Sequence, residues 1–239
     1  FNFELIKNIK QFPQKRYFEK FTNDYGNFNE IKKYWISAQE VINHENKIKF
    51  FKTHHINCKV DGYNFTNQKN TLATIYIIRD PRNLINSISN HFSKSIEDSK
   101  NFLITPRIIA GRKKDGDFKE EYLKTLIGTW GEHYNFWKKN KNFLLIKYED
   151  LVQNIDKELS RIIEFLKQFI TIQTTPEKNK NIILTTSFKN LKYLEDLGKF
   201  NENAYENETK KKKFFYLGPD NNWNKNLNTQ IRKEIEKKF

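Results

Sequence analysis

The 239-residue chain reads as an α/β protein, a three-layer α/β/α sandwich around a central parallel sheet. Three observations predict this. Short β-branched runs alternate with longer segments of helical period. One run, Thr74 to Ile78 (TIYII), is apolar on both faces, as expected of a parallel strand covered on both sides. That run passes through Arg79 into a helix start, where Asp80 is a good cap and Pro81 suits the first helical position.

The elements follow in chain order. Residues 1–28 are aromatic-rich and irregular. Glu30 to Asn46 carries Ile31, Tyr34, Trp35, Ala38, Val41 and Ile42 on one stripe, which predicts an amphipathic helix. Ile48 to Lys52 is a predicted strand and Asn57 to Thr71 a polar loop. Pro81 to Phe92 is a predicted helix with Leu84, Ile85, Ile88 and Phe92 facing the core and Ser87 on the flank. Ser93 to Glu120 is polar, with Gly111 and Gly116, and reads as a long loop of the kind that is usually functional or mobile. A helix over Tyr122 to Lys139, a strand over Phe143 to Lys147 and a helix over Ile155 to Phe169 come next. Short helices around Ser187 to Leu197 and Thr229 to Lys238 complete the chain. There is no internal repeat and no Pro- or Ser-rich linker, so one domain over residues 1–239 is expected.

Composition narrows the function. The chain is long enough to bury a sizeable core, and 37% hydrophobic with 15% aromatic residues is not a disordered composition. No apolar run approaches the ~18 residues of a membrane span. Cys58 is the single cysteine, which excludes an internal disulfide framework and a Cys-based zinc cluster and favours a reducing, cytoplasmic setting. The formal charge of +14 attracts anions, nucleotides included. Nucleic-acid binding needs a clustered basic face, and the densest cluster, Lys210 to Lys213, is one short run. A nucleic-acid partner is therefore not expected.

Two segments carry the candidate chemistry. FFKTHH, Phe50 to His55, is a strand-like run in which Lys52 and His54 leave the same side of the chain. A cation and a base that titrates near working pH then point into one place. His55 is the rival base, since a bulge would exchange it with His54. In IYIIRDPRNLINS, Ile75 to Ser87, Arg79 sits where a strand ends and a helix begins, the usual anion position of open α/β sheets.

Together these segments resemble the sulfotransferases that use 3′-phosphoadenosine 5′-phosphosulfate (PAPS). That family has a KTH segment and an R-D-P-R-like strand–helix turn with a serine eight residues after the arginine, the spacing of Arg79 and Ser87. GTWGEHYNFW (Gly128 to Trp137) resembles the family's W-x-x-H-x-x-x-W helix. LLIKYEDL (Leu144 to Leu151) with IIEFL (Ile162 to Leu166) resembles its Y-E-D-L strand and following helix. TTSFKNL (Thr185 to Leu191) and FFYLGPDNNWNKNL (Phe214 to Leu227) resemble its two C-terminal motifs.

The resemblance implies a P-loop NTPase-like sulfotransferase fold, PAPS as co-substrate, no metal, and a small-molecule or carbohydrate acceptor with a hydroxyl or amine. His54 is implied as the base and Lys52 as the cation on the bridging oxygen of the leaving group. Arg79 and Ser87 are implied at the 3′-phosphate, and Tyr148, Thr186 and Phe188 around the adenosine. Gly218 keeps its place in the family's Arg-Lys-Gly segment, but Tyr216 and Leu217 replace the two cations; Lys211 to Lys213 are candidates to substitute. The stripe of Trp130, His133 and Trp137 reads as core. Ser93 to Glu120 and the aromatic N-terminus are implied to line the acceptor pocket.

The chain has no methionine and no glycine before Gly26. The family's phosphosulfate loop is therefore expected upstream of Phe1, and the chain alone is expected to be inactive and poorly stable. A P-loop NTP-dependent kinase and a non-enzymatic basic nucleic-acid-binding protein are the alternative readings.

Overall fold

The computed structural model describes residues 9–45, 47–109, 123–200, 204–205 and 211–239. These fall into two compact units. The first takes its described residues from 9–74 and 105–143, the second from 75–104 and 144–239.

In the first unit the Asn27 side chain accepts from the backbone N–H of Asn29 and Glu30, so the helix starts at Phe28, two residues before the predicted point. Phe28–Ile31 runs through a 3-10 turn, Lys32–Tyr34, into the helix Trp35–Asn43. Ile31, Trp35 and Ala38 are buried, as the stripe predicts, whereas Val41 is exposed. Asn46 lies outside the described residues. The predicted strand from Ile48 is cut to Phe51–Lys52, because its parallel partner Lys10–Gln11 offers two residues. The Phe12 N–H extends the ladder to the Lys52 carbonyl at 3.0 Å.

The predicted loop Asn57 to Thr71 holds a hairpin, Lys59–Val60 against Tyr63–Asn64. Asp61 and Gly62 turn it at φ of 47° and 89°, the Asp-Gly chemistry of a tight hairpin. The predicted helix over Tyr122 to Lys139 is Trp130–Trp137. A capping box between Thr129 and Glu132 fixes its start. The chain before it forms the strand Thr125–Leu126, antiparallel to Ile108–Ile109. Phe12, Phe18, Trp35, Phe65 and Trp137 build this unit's core.

In the second unit the strand Thr74–Ile78 is as predicted and is a hydrogen-bonded neighbour of Phe143–Lys147. Its two apolar faces are not both covered: Ile77 is 64% exposed, so the strand is less enclosed than its composition predicts. The helix Pro81–Phe92 starts as read, with the Asp80 carboxylate accepting from the Arg82 N–H and Pro81 in the first turn. Ile85 and Ile88 are buried, while Phe92 at the helix end is exposed.

The predicted loop from Ser93 begins instead with a helix, Ile96–Ile104, started by Ser95 accepting from the Asp98 N–H. Residues 110–120 of the predicted acceptor loop lie outside the described residues, as do 121 and 122. Tyr148–Gln153 and Ile155–Lys167 follow the second strand. The helices Pro176–Thr186, Phe188–Asp196, Trp223–Asn226 and Thr229–Lys238 complete the unit. No helix among the described residues is long and apolar enough to cross a membrane.

Candidate functional site

Four of the predicted cofactor residues meet around Arg79 in the second unit. Arg79 follows one strand and Tyr148 follows its neighbour, so both stand at strand C-termini, where open α/β sheets place ligands. The Arg79 guanidinium lies 4.2 Å from the centre of the Tyr148 ring. Its Nη1 donates to Ser87 Oγ at 3.2 Å and its Nη2 to the Gly218 carbonyl at 3.1 Å. Its Nε is buried and has no partner among the described residues. Burial lowers the Arg79 pKa, opposed by Tyr148 and Glu149 nearby. Burial raises the Tyr148 pKa, with Arg79 opposing it. The result is a half-buried cation on an aromatic face, a fitting seat for a phosphate.

Glu149 braces this turn. Its Oε1 accepts from the Asp80 N–H at 3.1 Å and from Asn83 Nδ2 at 3.2 Å, joining the two strand ends. Arg82 is occupied elsewhere: it forks onto Asp80, bonds Glu236 at 2.7 Å and lies 3.8 Å from the centre of the Trp223 ring.

Gly218 stands at φ +52°, and a Cβ there would fall 2.2 Å from a Phe188 ring carbon. The bare backbone lets Phe188 close over the segment whose carbonyl holds Arg79. Phe188 meets Phe215 edge-on, 6.0 Å between ring centres. Thr186 is not brought into this cluster by any bond: its Oγ1 donates to the Ile182 carbonyl at 2.6 Å, one turn back in its own helix. The expectation that Lys211 to Lys213 replace the family's cations finds Lys213 ion-paired with Asp196 instead. The Lys211 side chain lies outside the described residues.

Lys52 and His54 belong to the first unit. Lys52 ends its strand, His54 follows two residues on, and both are exposed. His55 points the other way and is fully buried. Its ring stacks on Phe65 at 4.0 Å and meets Trp35 edge-on at 4.7 Å. Its Nδ1 donates to the Ile56 carbonyl at 2.7 Å, which leaves Nε2 unprotonated, buried and without a partner among the described residues. Burial pushes its pKa down to about 3, so it stays neutral. His55 acts as an apolar anchor beneath the exposed pair.

The helix Trp130–Trp137 supplies positioning groups that the sequence reading assigned to core alone. His133 Nε2 donates to the His54 carbonyl at 3.2 Å, and Trp137 Nε1 donates to the His55 carbonyl at 2.9 Å. Their i, i+4 spacing matches two successive carbonyls. The signal was present in that stripe, because a buried tryptophan N–H seeks a partner.

The fold class is that of the sulfotransferases. Mouse SULT7A1, solved in complex with PAP, superposes with a TM-score of 0.55 at 17% identity, covering 82% of this chain and 67% of that one. Retinol dehydratase with retinol and PAP gives 0.54 at 18% identity, covering 80% of this chain and 52% of that one. The chain belongs to this family: the family model of the sulfotransferase domain matches residues 3–239. Sulfotransferase 2A1 of Homo sapiens is 28% identical over 123 residues, 49% of this chain and 38% of that protein. Sulfotransferase 1E1 of Bos taurus is 36% identical over 81 residues, 32% of this chain and 26% of that protein. The chain spans well under half the length of these two relatives.

Proposed function

We propose that this protein transfers a sulfuryl group from PAPS to a hydroxyl or amine acceptor by in-line displacement. The acceptor atom bonds to sulfur as the bond to the bridging 5′-phosphate oxygen breaks. The products are the sulfated acceptor and adenosine 3′,5′-bisphosphate. His54 takes the proton that the acceptor loses, and Lys52 neutralises charge on the departing oxygen. Arg79 and Ser87 hold the 3′-phosphate; Tyr148, Phe188 and Gly218 frame the nucleotide, with Thr186 beside them.

One observation carries this reading. Arg79 is half-buried, stacked on Tyr148 and bonded to Ser87, the residue at the matching family spacing. No specific observation favours a kinase or a nucleic-acid-binding protein. Solved relatives hold retinol or androsterone beside PAP, so apolar alcohols head the list of acceptors. We place the protein in the cytoplasm on its single cysteine.

The test is transfer of label from PAPS by the intact protein to a panel of alcohols, phenols, sugars and amines. Labelled product and matching release of the bisphosphate support the proposal. Absence of both across the panel contradicts it.

A further inference from the structure

Asn221 is buried in the C-terminal segment, three residues beyond Gly218. Its Nδ2 donates to the Asn83 carbonyl at 2.7 Å and to Ser87 Oγ at 3.3 Å. Its Oδ1 accepts from Asn86 Nδ2 at 3.3 Å, which fixes the amide's orientation. Asn83 Oδ1 in turn accepts from the Trp223 N–H at 2.9 Å. Two buried amides thus stitch the segment 218–223 along the helix that bears Ser87.

The consequence for Ser87 follows from counting. A hydroxyl has two acceptor sites and one donor. Arg79 Nη1 takes one acceptor site and Asn221 Nδ2 takes the other. A serine in a helix commonly donates to the carbonyl four residues back, which here is that of Asn83. Asn221 holds that carbonyl, and among the described residues the Ser87 O–H has no acceptor.

We infer that Asn221 is a positioning residue that commits the Ser87 hydroxyl to donate to the anion seated on Arg79. It is a neutral replacement for cationic support: it adds no charge but fixes which way a proton points. The inference rests on the nucleotide reading above.

The experiment compares this chain with Asn221→Ala, Ser87→Ala and the double variant by calorimetry. The ligands are adenosine 3′,5′-bisphosphate and adenosine 5′-monophosphate, which lacks the 3′-phosphate. Asn221→Ala is expected to weaken the bisphosphate about tenfold, the size of one hydrogen bond, and to leave the monophosphate unchanged. The double variant should bind the bisphosphate no worse than Ser87→Ala alone. Asn221→Asp keeps the shape without the donor and should lose at least as much.

Equal losses for both ligands mark a structural role and overturn the inference, as do independent losses that multiply in the double variant. If Asn221→Ala does not fold, Asn86→Ala loosens the amide from outside; unchanged discrimination between the ligands then overturns the inference. Failure of the unaltered chain to prefer the bisphosphate overturns the nucleotide reading itself, and this inference with it.

Discussion

The two units present their reactive groups in opposite ways. In the second, Arg79 is held by polar bonds on several sides, to Ser87, to the Gly218 carbonyl and against Tyr148. Asn83, Asn221 and Glu149 brace the bonds behind it. In the first, Lys52 and His54 are exposed, and the order lies beneath them. His55 is sunk among Phe65, Trp35 and Phe28, and Trp137 clasps its carbonyl. The proposed phosphate seat is preorganised by a polar network. The proposed base stays at the surface, with an apolar anchor one residue away.

Separating the neighbouring histidines probes that difference most strongly. His54→Ala is expected to reduce transfer roughly 10²–10⁴-fold while nucleotide binding and thermal stability survive. His55→Ala is expected to lower stability instead, by opening a cavity in the aromatic core. Turnover and thermal unfolding of the two variants decide; activity lost in His55→Ala at unchanged stability would reverse the roles.

Gly218→Ala attacks the polar unit at its tightest point. The new methyl group meets the Phe188 ring, and φ +52° disfavours any Cβ. A loss of about 1–3 kcal/mol in unfolding free energy is expected, with weaker binding of the bisphosphate. Wild-type stability and affinity would show that Phe188 yields without cost.

Acid should strike the aromatic unit. His55 has its pKa lowered to about 3 in the fold from an ordinary value of 6.5. The unfolded chain therefore binds the proton first. The stability His55 contributes is complete above pH 6.5 and is lost as pH falls toward 3, up to on the order of 5 kcal/mol. His55→Phe keeps a stacking ring and should flatten this part of the stability–pH curve. Identical slopes would mean that His55 does not couple to the fold.

Trp137→Phe gives the smallest expected effect, about 1 kcal/mol, because it removes one buried hydrogen bond and part of one ring. The sharper readout is transfer, which should fall with the His55 carbonyl released and nucleotide affinity unchanged.

Much of the polar unit was legible in the sequence. Thr74 to Ile78, the Asp80 cap and the eight-residue step to Ser87 are local signals, and local signals survive folding. The long-range partners were not legible. Nothing near Asn221 announces that its amide will span 138 residues of sequence to the Asn83 carbonyl. The first unit was harder to read. Its strands are two residues long, too short for a period to register, and the Asp61–Gly62 turn was passed over inside a polar stretch. The Trp130 helix starts later than its apolar period predicts, because the apolar residues before it belong to the strand Thr125–Leu126. The Thr129 and Glu132 capping box marked the true start.

The most direct measurement is calorimetric titration of adenosine 3′,5′-bisphosphate into the unaltered chain and into Arg79→Ala. An anion seat preorganised on Arg79 predicts binding by the first and a loss of at least tenfold in the second. Equal affinities in the two proteins would remove Arg79 from the site and contradict the account.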